Sequence, residues 1–293
     1  MEDRIIRATA KDGAIRIIGA TTTNLVNEAI RIHKTTPTAS CAMGRMLTAG
    51  VLMGAMLKND KDVLTLKIDG GGPIRGITVT AYADGRIKGI LGNSNVQLPP
   101  RKNGTIDVSG AIGKDGMLTV IKDLGLKNPY VGQVKIYTGE VGEDVAYYFT
   151  TSEQTPSAVA VGVMFNKDLE ASAAGGFIIQ MMPDADPLLA DLVQYRLEEM
   201  SSTTEMIHNG KTIDEIIASV FDDMDLKIHD DGKPYYGCDC SREKIETALI
   251  SLGKTELANI IADRKDEEIG CSFCGTKYVF TPEEMEQLME KAK

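Results

Sequence analysis

The hydrophobic and polar positions of the first 183 residues predict strands and helices in separate groups. Two β-prone runs at 4–10 and 14–19 flank an Asp12-Gly13 turn and predict a hairpin. Helices are predicted after the threonines at 21–23, which can cap a helix, and from Pro37 to about residue 58. Further strands are predicted at 63–68, 74–82, 86–91, 117–121, 133–137, 159–165 and 176–182, with 145–151 ambiguous. Because the strands are grouped, we expect an α+β core domain over residues 1–183.

The pattern changes to short helices after Pro183. Asp186 is suited to an N-cap and Pro187 to a first helical position, and further helices are predicted at 203–208 and 212–220. These segments lack enough apolar positions for a large core of their own. Residues 184–230 are therefore predicted to form a helical connector, which ends in a turn-rich boundary at 230–234.

A small module is predicted over residues 231–293. Ser241 can cap one helix, and a second is predicted at about 254–262. A short strand at 278–280 leads into Thr281, which with Glu284 forms a capping-box pattern for a terminal helix.

Four of the five cysteines lie in this module as two close pairs. Cys238 and Cys240 are separated by one residue, and Cys271 and Cys274 form a Cys-x-x-Cys-Gly turn. Four thiolates in two pairs are what a closed tetrahedral zinc site requires, so the sequence predicts one Zn²⁺ held by all four. Cys41 lies in an apolar helical run and is expected to be buried and inert.

The composition is that of a globular protein with an acidic balance. The 293 residues carry a formal net charge of −10, which opposes general binding to nucleic acid. The N-terminus does not have the pattern of a signal peptide, and no apolar run is long enough to span a bilayer. We therefore expect a soluble, cytoplasmic protein without a membrane partner, whose clustered cysteines bind metal or respond to oxidants.

Three functions are compatible with the cysteine module. The first is a structural zinc ribbon that binds nucleic acid or a partner, although acidic side chains near the site offset Arg242, Lys244 and Lys277. The second is a thiol-disulfide oxidoreductase, which usually places its Cys-x-x-Cys at the start of a helix. The third is a redox switch, since zinc keeps its ligands nucleophilic and oxidation of the sulfurs removes the metal.

The motif Cys238-Asp-Cys-Ser-Arg-Glu243, followed by Cys271-Ser-Phe-Cys-Gly-Thr-Lys-Tyr-Val-Phe280, resembles the C-terminal module of the bacterial redox-regulated holdase chaperones, the thirty-three-kilodalton heat-shock protein family. The resemblance covers nearly the whole chain and includes four further segments in the family's order: His33 with Pro37-Thr-Ala, Gly70-Gly-Gly-Pro73, Ser152-Glu-Gln-Thr-Pro156, and Ala173-Ala-Gly-Gly176 through Gln180-Met-Met-Pro183.

The resemblance implies an ATP-independent chaperone rather than an enzyme. Its reduced, zinc-bound form would be inactive. Oxidation would join Cys238 to Cys240 and Cys271 to Cys274, release zinc, and disorder the module and the connector. The surface exposed in this way would bind unfolding client proteins during oxidative stress, and the activated chain would form a homodimer.

Overall fold

The computed structural model describes residues 1–183 and 185–292, except for the side chains of Asp230 and Asp231. The chain divides into two compact units, Met1–Tyr236 and Gly237–Lys293. Both combine sheets and helices, so the predicted α+β class is confirmed. Residue 184, where the connector was predicted to begin, lies outside the described residues. No helix in the described part of the chain is both long and apolar enough to cross a membrane.

The strands are, in chain order, β1 (Arg4–Ala10), β2 (Ile15–Thr21), β3 (Val63–Gly71), β4 (Ile77–Tyr82), β5 (Arg86–Leu91), β6 (Gly113–Asp123), β7 (Tyr130–Lys135), β8 (Ser157–Phe165), β9 (Ala171–Met181), β10 (Lys227–Gly232), β11 (Tyr235–Tyr236), β12 (Glu267–Gly270) and β13 (Lys277–Phe280). The helices are α1 (Thr23–His33), α2 (Pro37–Gly54), α3 (Val108–Ile112), α4 (Val141–Thr151), α5 (Pro187–Glu199), α6 (Thr203–His208), α7 (Ile213–Phe221), α8 (Arg242–Leu252), α9 (Lys254–Ile261) and α10 (Pro282–Lys291). A single 3₁₀ turn, Asp222–Met224, follows α7.

The first unit contains two sheets. One is antiparallel and has the strand order β10-β1-β2-β9-β8. The other has the order β11-β5-β4-β3-β6-β7 and is antiparallel except where β11 pairs with β5. The predicted hairpin is β1 and β2, paired from Arg4 opposite Thr21 to Ala10 opposite Ile15.

Helix α2 lies in the main hydrophobic core and contacts strands of both sheets. Almost all its residues are buried, which explains why its sequence is apolar on every side. Gly44 and Gly50 permit this close packing. A Cβ at Gly44 would lie 2.7 Å from Val163, and one at Gly50 would lie 2.6 Å from Ile87.

A second hydrophobic cluster covers the other face of the five-stranded sheet. Alternation along the strands sends Ile6 and Phe177 into this cluster, whereas their neighbours Ile5 and Ile178 point into the main core. Helices α5 and α7 cover this face with apolar residues that include Leu189, Val193, Ile213, Ile217, Val220 and Phe221. The helices between residues 185 and 221 therefore bury their apolar residues against the five-stranded sheet, as expected for a segment that has no large core of its own.

Several local predictions need correction. The predicted turn at 230–234 is wrong, because Lys227–Gly232 pairs with β1 and Tyr235–Tyr236 pairs with β5. These partners are distant in sequence and override the local turn signals. The ambiguous segment 145–151 belongs to α4, while α3 and β12 were not predicted. The division into a core at 1–183, a connector at 184–230 and a module at 231–293 stays a prediction.

The second unit is built on a small core. Strands β12 and β13 form an antiparallel pair with Glu267 opposite Phe280. The buried residues are Leu249, Leu257, Phe280, Met285, Leu288 and Ala292. The capping box predicted at α10 is present, because Thr281 Oγ1 accepts a hydrogen bond from Glu284 N at 3.3 Å and Glu284 Oε2 accepts one from Thr281 N at 2.9 Å.

Candidate metal centre

The backbone of the second unit brings the two cysteine pairs together. Cys238 and Cys240 lie just before α8, whose N-cap Ser241 accepts a hydrogen bond from the amide of Lys244. Cys271 and Cys274 lie in the turn between β12 and β13. Both segments are held independently of the sulfurs, one by the helix and the other by the strand pair.

Backbone hydrogen bonds shape the second cysteine turn. Gly275 N donates to Cys271 O at 2.8 Å, and Cys271 N donates to Thr276 O at the same distance. Gly275 has a φ of 72°, which favours glycine at this position. The turn therefore holds both cysteines of the Cys-x-x-Cys pair at the end of the strand pair where β12 leads into β13.

The four sulfurs form a compact cluster. Cys238 Sγ lies 3.7 Å from Cys271 Sγ, Cys240 Sγ lies 3.4 Å from Cys274 Sγ, and all four lie within 4.8 Å of one another. Four sulfurs placed about 2.3 Å from a tetrahedral centre would be about 3.8 Å apart. These cysteines can therefore hold one metal ion with little rearrangement, and their all-sulfur donor set fits zinc.

Two hydroxyl groups contact the sulfurs. Tyr278 Oη donates to Cys240 Sγ at 3.2 Å, and Thr276 Oγ1 lies 3.2 Å from Cys274 Sγ. Such contacts orient the ligands of a metal site and stabilise negative sulfur. The sequence did not predict these two roles; the only local signal is that both residues closely follow Cys274.

The thiols differ in acidity. Burial raises the pKa of Cys238 to about 12, and the neighbouring thiols Cys240 and Cys271 add to the increase. Burial also opposes ionisation of Cys274, but its hydrogen bonds with Thr276 and Cys240 outweigh this effect and lower the pKa of Cys274 to about 7. The hydrogen bond to Cys240 raises the pKa of Tyr278 to about 12, which keeps this hydroxyl a donor. A bound cation would favour the thiolate form of every cysteine in the cluster.

The cluster is partly exposed, and no disulfide bond joins its cysteines. Cys271 is buried, whereas Cys238, Cys240 and Cys274 are half-buried. Three of the four cysteines are therefore partly exposed to solvent. The Cys271–Cys274 turn lies between two strands rather than at the start of a helix, an arrangement that does not favour an oxidoreductase active pair.

The other candidate residues belong to the first unit and are not members of the cluster. Cys41 is buried in α2, as expected, and burial raises the pKa of its thiol. His33 forms a hydrogen bond with the hydroxyl of Tyr236 at 2.9 Å, and the ring of His229 forms one with the hydroxyl of Thr9. Among the residues that the structure describes, the four-cysteine group is the only set of three or more potential metal ligands in close contact.

Comparisons with known proteins cover the chain from end to end. The family model described as Hsp33 protein matches residues 3–281. The chain is 61% identical to a 33 kDa chaperonin of Clostridium botulinum, over 100% of this chain and 99% of that protein. It is 59% identical to a 33 kDa chaperonin of Clostridium beijerinckii, with both chains fully covered. The crystal structure of a 33 kDa chaperonin from Thermotoga maritima is similar, with a TM-score of 0.91, 33% identity, and coverage of 99% and 98% of the two chains.

Proposed function

The chain belongs to the Hsp33 family, and we propose that it is an ATP-independent holdase chaperone rather than an enzyme. It binds unfolding proteins in the cytoplasm and prevents their aggregation during oxidative stress. The reduced, zinc-bound form is inactive. Disulfide formation with release of zinc produces the active form, which dimerises.

The observation that carries this proposal is the cluster of four sulfurs within 4.8 Å of one another. Zinc bound there would keep the sulfurs as thiolates and would cross-link the segment before α8 to the turn between β12 and β13. The half-buried Cys238, Cys240 and Cys274 give an oxidant access to these thiolates. A reactive site of this kind suits a switch better than a purely structural zinc ribbon.

Activation requires the loss of four electrons from the four cysteines. We assign the disulfides to Cys238–Cys240 and Cys271–Cys274. In each pair the oxidant, a peroxide or hypochlorous acid, takes two electrons while one sulfur–sulfur bond forms. The resulting disulfides no longer ligate the metal and no longer cross-link the two segments. The small core around Phe280 and Leu257 then remains as the main support of this unit.

The covered face of the five-stranded sheet supports the second half of the proposal. Helix α7 buries Ile213, Ile217 and Phe221 against strand residues that include Ile6 and Phe177. Release of the connector, residues 184–230, would expose this apolar face to clients. Because the connector helices lack a core of their own, they are stable only while they pack on the sheet.

The proposal is tested by measuring metal, thiols and chaperone activity on the same sample. The reduced chain is expected to contain about one zinc and to leave a thermally unfolding client free to aggregate. Peroxide at mildly elevated temperature should release the zinc, form two disulfides and confer suppression of aggregation. Peptide mapping then identifies the bonded cysteines.

Two variants sharpen this test. Cys240→Ser removes one sulfur of the cluster and should weaken zinc retention, whereas Cys41→Ser leaves the cluster intact and should behave like the unmodified chain. An oxidised, zinc-free protein that suppresses no aggregation would refute the chaperone proposal. Catalytic turnover of a disulfide substrate would favour the oxidoreductase instead.

A further inference from the structure

Strand β8 is the last strand of its sheet among the described residues; both of its faces are covered, and Gly142 at the start of α4 approaches the carbonyl of Val159. It is the last strand of the five-stranded sheet, next to β9. Its valines 159, 161 and 163 pack towards the main core, while Ala158 and Ala160 pack towards the second cluster. All nine residues of β8 are nevertheless half-buried, whereas most of β9 is fully buried. This partial exposure along the whole strand fits its position at the end of the sheet.

The sequence of β8 does not protect that edge. Ser157–Phe165 reads SAVAVGVMF and contains no charged residue. Natural sheets usually protect an exposed edge with lysines, prolines or a covering element, because unpaired backbone groups attract another strand. The edge strand β7 at the end of the other sheet carries Lys135, and β10 carries Lys227. The absence of charge on β8 therefore favours pairing of its edge with another extended segment.

Two cavities lie along β8 and leave space for a partner. The first, of about 460 Å³, is lined by residues 158–162 of β8, by Gly142 at the start of α4, and by Leu197 and Met200 near the end of α5. The second, of about 420 Å³, is lined by residues 156–158, by Ile179 of β9 and by the face of α5 that carries Val193. Both cavities touch Ala158, so together they follow the strand over residues 156–162.

The charges around these cavities favour a basic partner. The charged lining residues are Arg45, Glu140 and Glu143 in the first cavity and Glu198 in the second. Arg45 forms an ion pair with Glu140, which leaves Glu143 and Glu198 as the net charge of the groove. A segment with Lys or Arg beside an apolar stretch complements this pattern.

We infer that the edge of β8 binds an extended apolar segment, flanked by basic residues, as an additional antiparallel or parallel strand. The segment is supplied by an unfolded client, so this inference rests on the proposed chaperone function and specifies how clients are held. Backbone hydrogen bonds to β8 recognise any extended chain, and the two cavities accept small apolar side chains. The two cavities together follow residues 156–162, which corresponds to about 23 Å of strand. Since α5 forms one wall, release of the connector widens the groove.

The test uses the oxidised full-length chain and a fluorescent peptide of alternating valine and threonine with a lysine at each end. Fluorescence anisotropy measures its affinity. A control peptide carries the same side chains but is N-methylated at alternate residues, which removes the donors on one edge. We expect the control to bind at least about tenfold more weakly, because it loses several backbone hydrogen bonds. Exchanging the terminal lysines for glutamates should also weaken binding.

Hydrogen exchange and two matched variants locate the binding site. Bound peptide should slow amide exchange within residues 157–165. Ala158→Lys places a charge at the junction of the two cavities and should abolish binding, whereas Val131→Lys on the exposed edge strand β7 should not. Circular dichroism and thermal unfolding verify that both variants are folded, and the exchange measurement on the unmodified chain stands if either is not.

The outcomes separate this inference from the function it builds on. Equal affinity for the two peptides, or protection confined to other strands, would overturn the inference even if oxidised protein suppresses aggregation. Suppression of aggregation that survives in Ala158→Lys would overturn it as well. If Ala158→Lys abolishes dimerisation but leaves peptide binding unchanged, the edge accepts a second copy of the chain instead. Peptide binding at β8 without any chaperone activity would refute the proposed function.

Discussion

Replacing Phe221 with alanine should activate the reduced protein without an oxidant. Phe221 ends α7, is fully buried, and belongs to the cluster through which the connector covers the five-stranded sheet. Truncating a buried phenylalanine costs about 3–5 kcal/mol, because it removes apolar contacts and leaves a cavity. The packed connector loses this stabilisation while the released connector does not. The released population should therefore rise at least about a hundredfold.

The assay combines aggregation suppression by the reduced variant with limited proteolysis. We expect Phe221→Ala to suppress client aggregation while zinc is retained, and to be cut between residues 185 and 230. Phe149→Ala is the matched control, since Phe149 of α4 is similarly buried but belongs to the main core. It should lower the Tm without exposing the connector to protease. A Phe221→Ala protein that is less stable but remains inactive and uncut would show that the connector does not control activity.

Three further predictions concern stability. Thr281→Ala should destabilise the second unit by about 1 kcal/mol because it removes the capping box of α10. Thr247→Ala, at an exposed position within α8, is the control. Equal effects of the two substitutions in thermal unfolding would contradict the capping role of Thr281. Burial raises the pKa of the Asp144 carboxyl above its ordinary value of 3.8. The unmodified chain therefore loses stability as the pH rises from the unfolded-state pKa through the folded-state pKa of Asp144. The Tm of Asp144→Asn relative to the unmodified chain should rise from pH 3.5 to pH 7. A difference in Tm that does not depend on pH would refute this assignment. Chelation of the metal from reduced protein should speed amide exchange throughout residues 237–292 and leave β3 and β4 protected; unchanged exchange in the second unit would show that its core suffices.

The cluster of four cysteines was predictable because its information is local. Two close pairs of cysteines limit the possible geometries, and Ser241 and Thr281 are strong local helix starts that hold the nearby chain. The α+β class followed in the same way from grouped strands. The contacts of Tyr278 and Thr276 with the sulfurs depend on how the turn closes in three dimensions, so the spacing of the cysteines did not reveal them.

The errors arose where a distant segment determines the structure. Residues 230–234 have the composition of a turn, yet β1 and β5 supply partners that extend the backbone on either side of Lys233. The position of β8 at a sheet edge was equally hidden, because nothing in SAVAVGVMF distinguishes an edge strand from a central one. Pairing order is a property of the whole fold, and short-range patterns do not encode it.

The pairing of β10 with β1 has a consequence for how quickly the resting state can return. The chain leaves the five-stranded sheet at the end of β9 and rejoins it at β10, so residues 182–226 form a loop fixed at both ends. If the helices within this loop unfold while β10 stays paired, the loop remains tethered at high effective concentration above its docking face. Because both ends of the loop are fixed, its helices re-dock without a diffusional search. The entropic cost of closing such a loop grows only slowly with its length. Detachment of β10 would free one end, turning a rapidly reversible opening into a long-lived one.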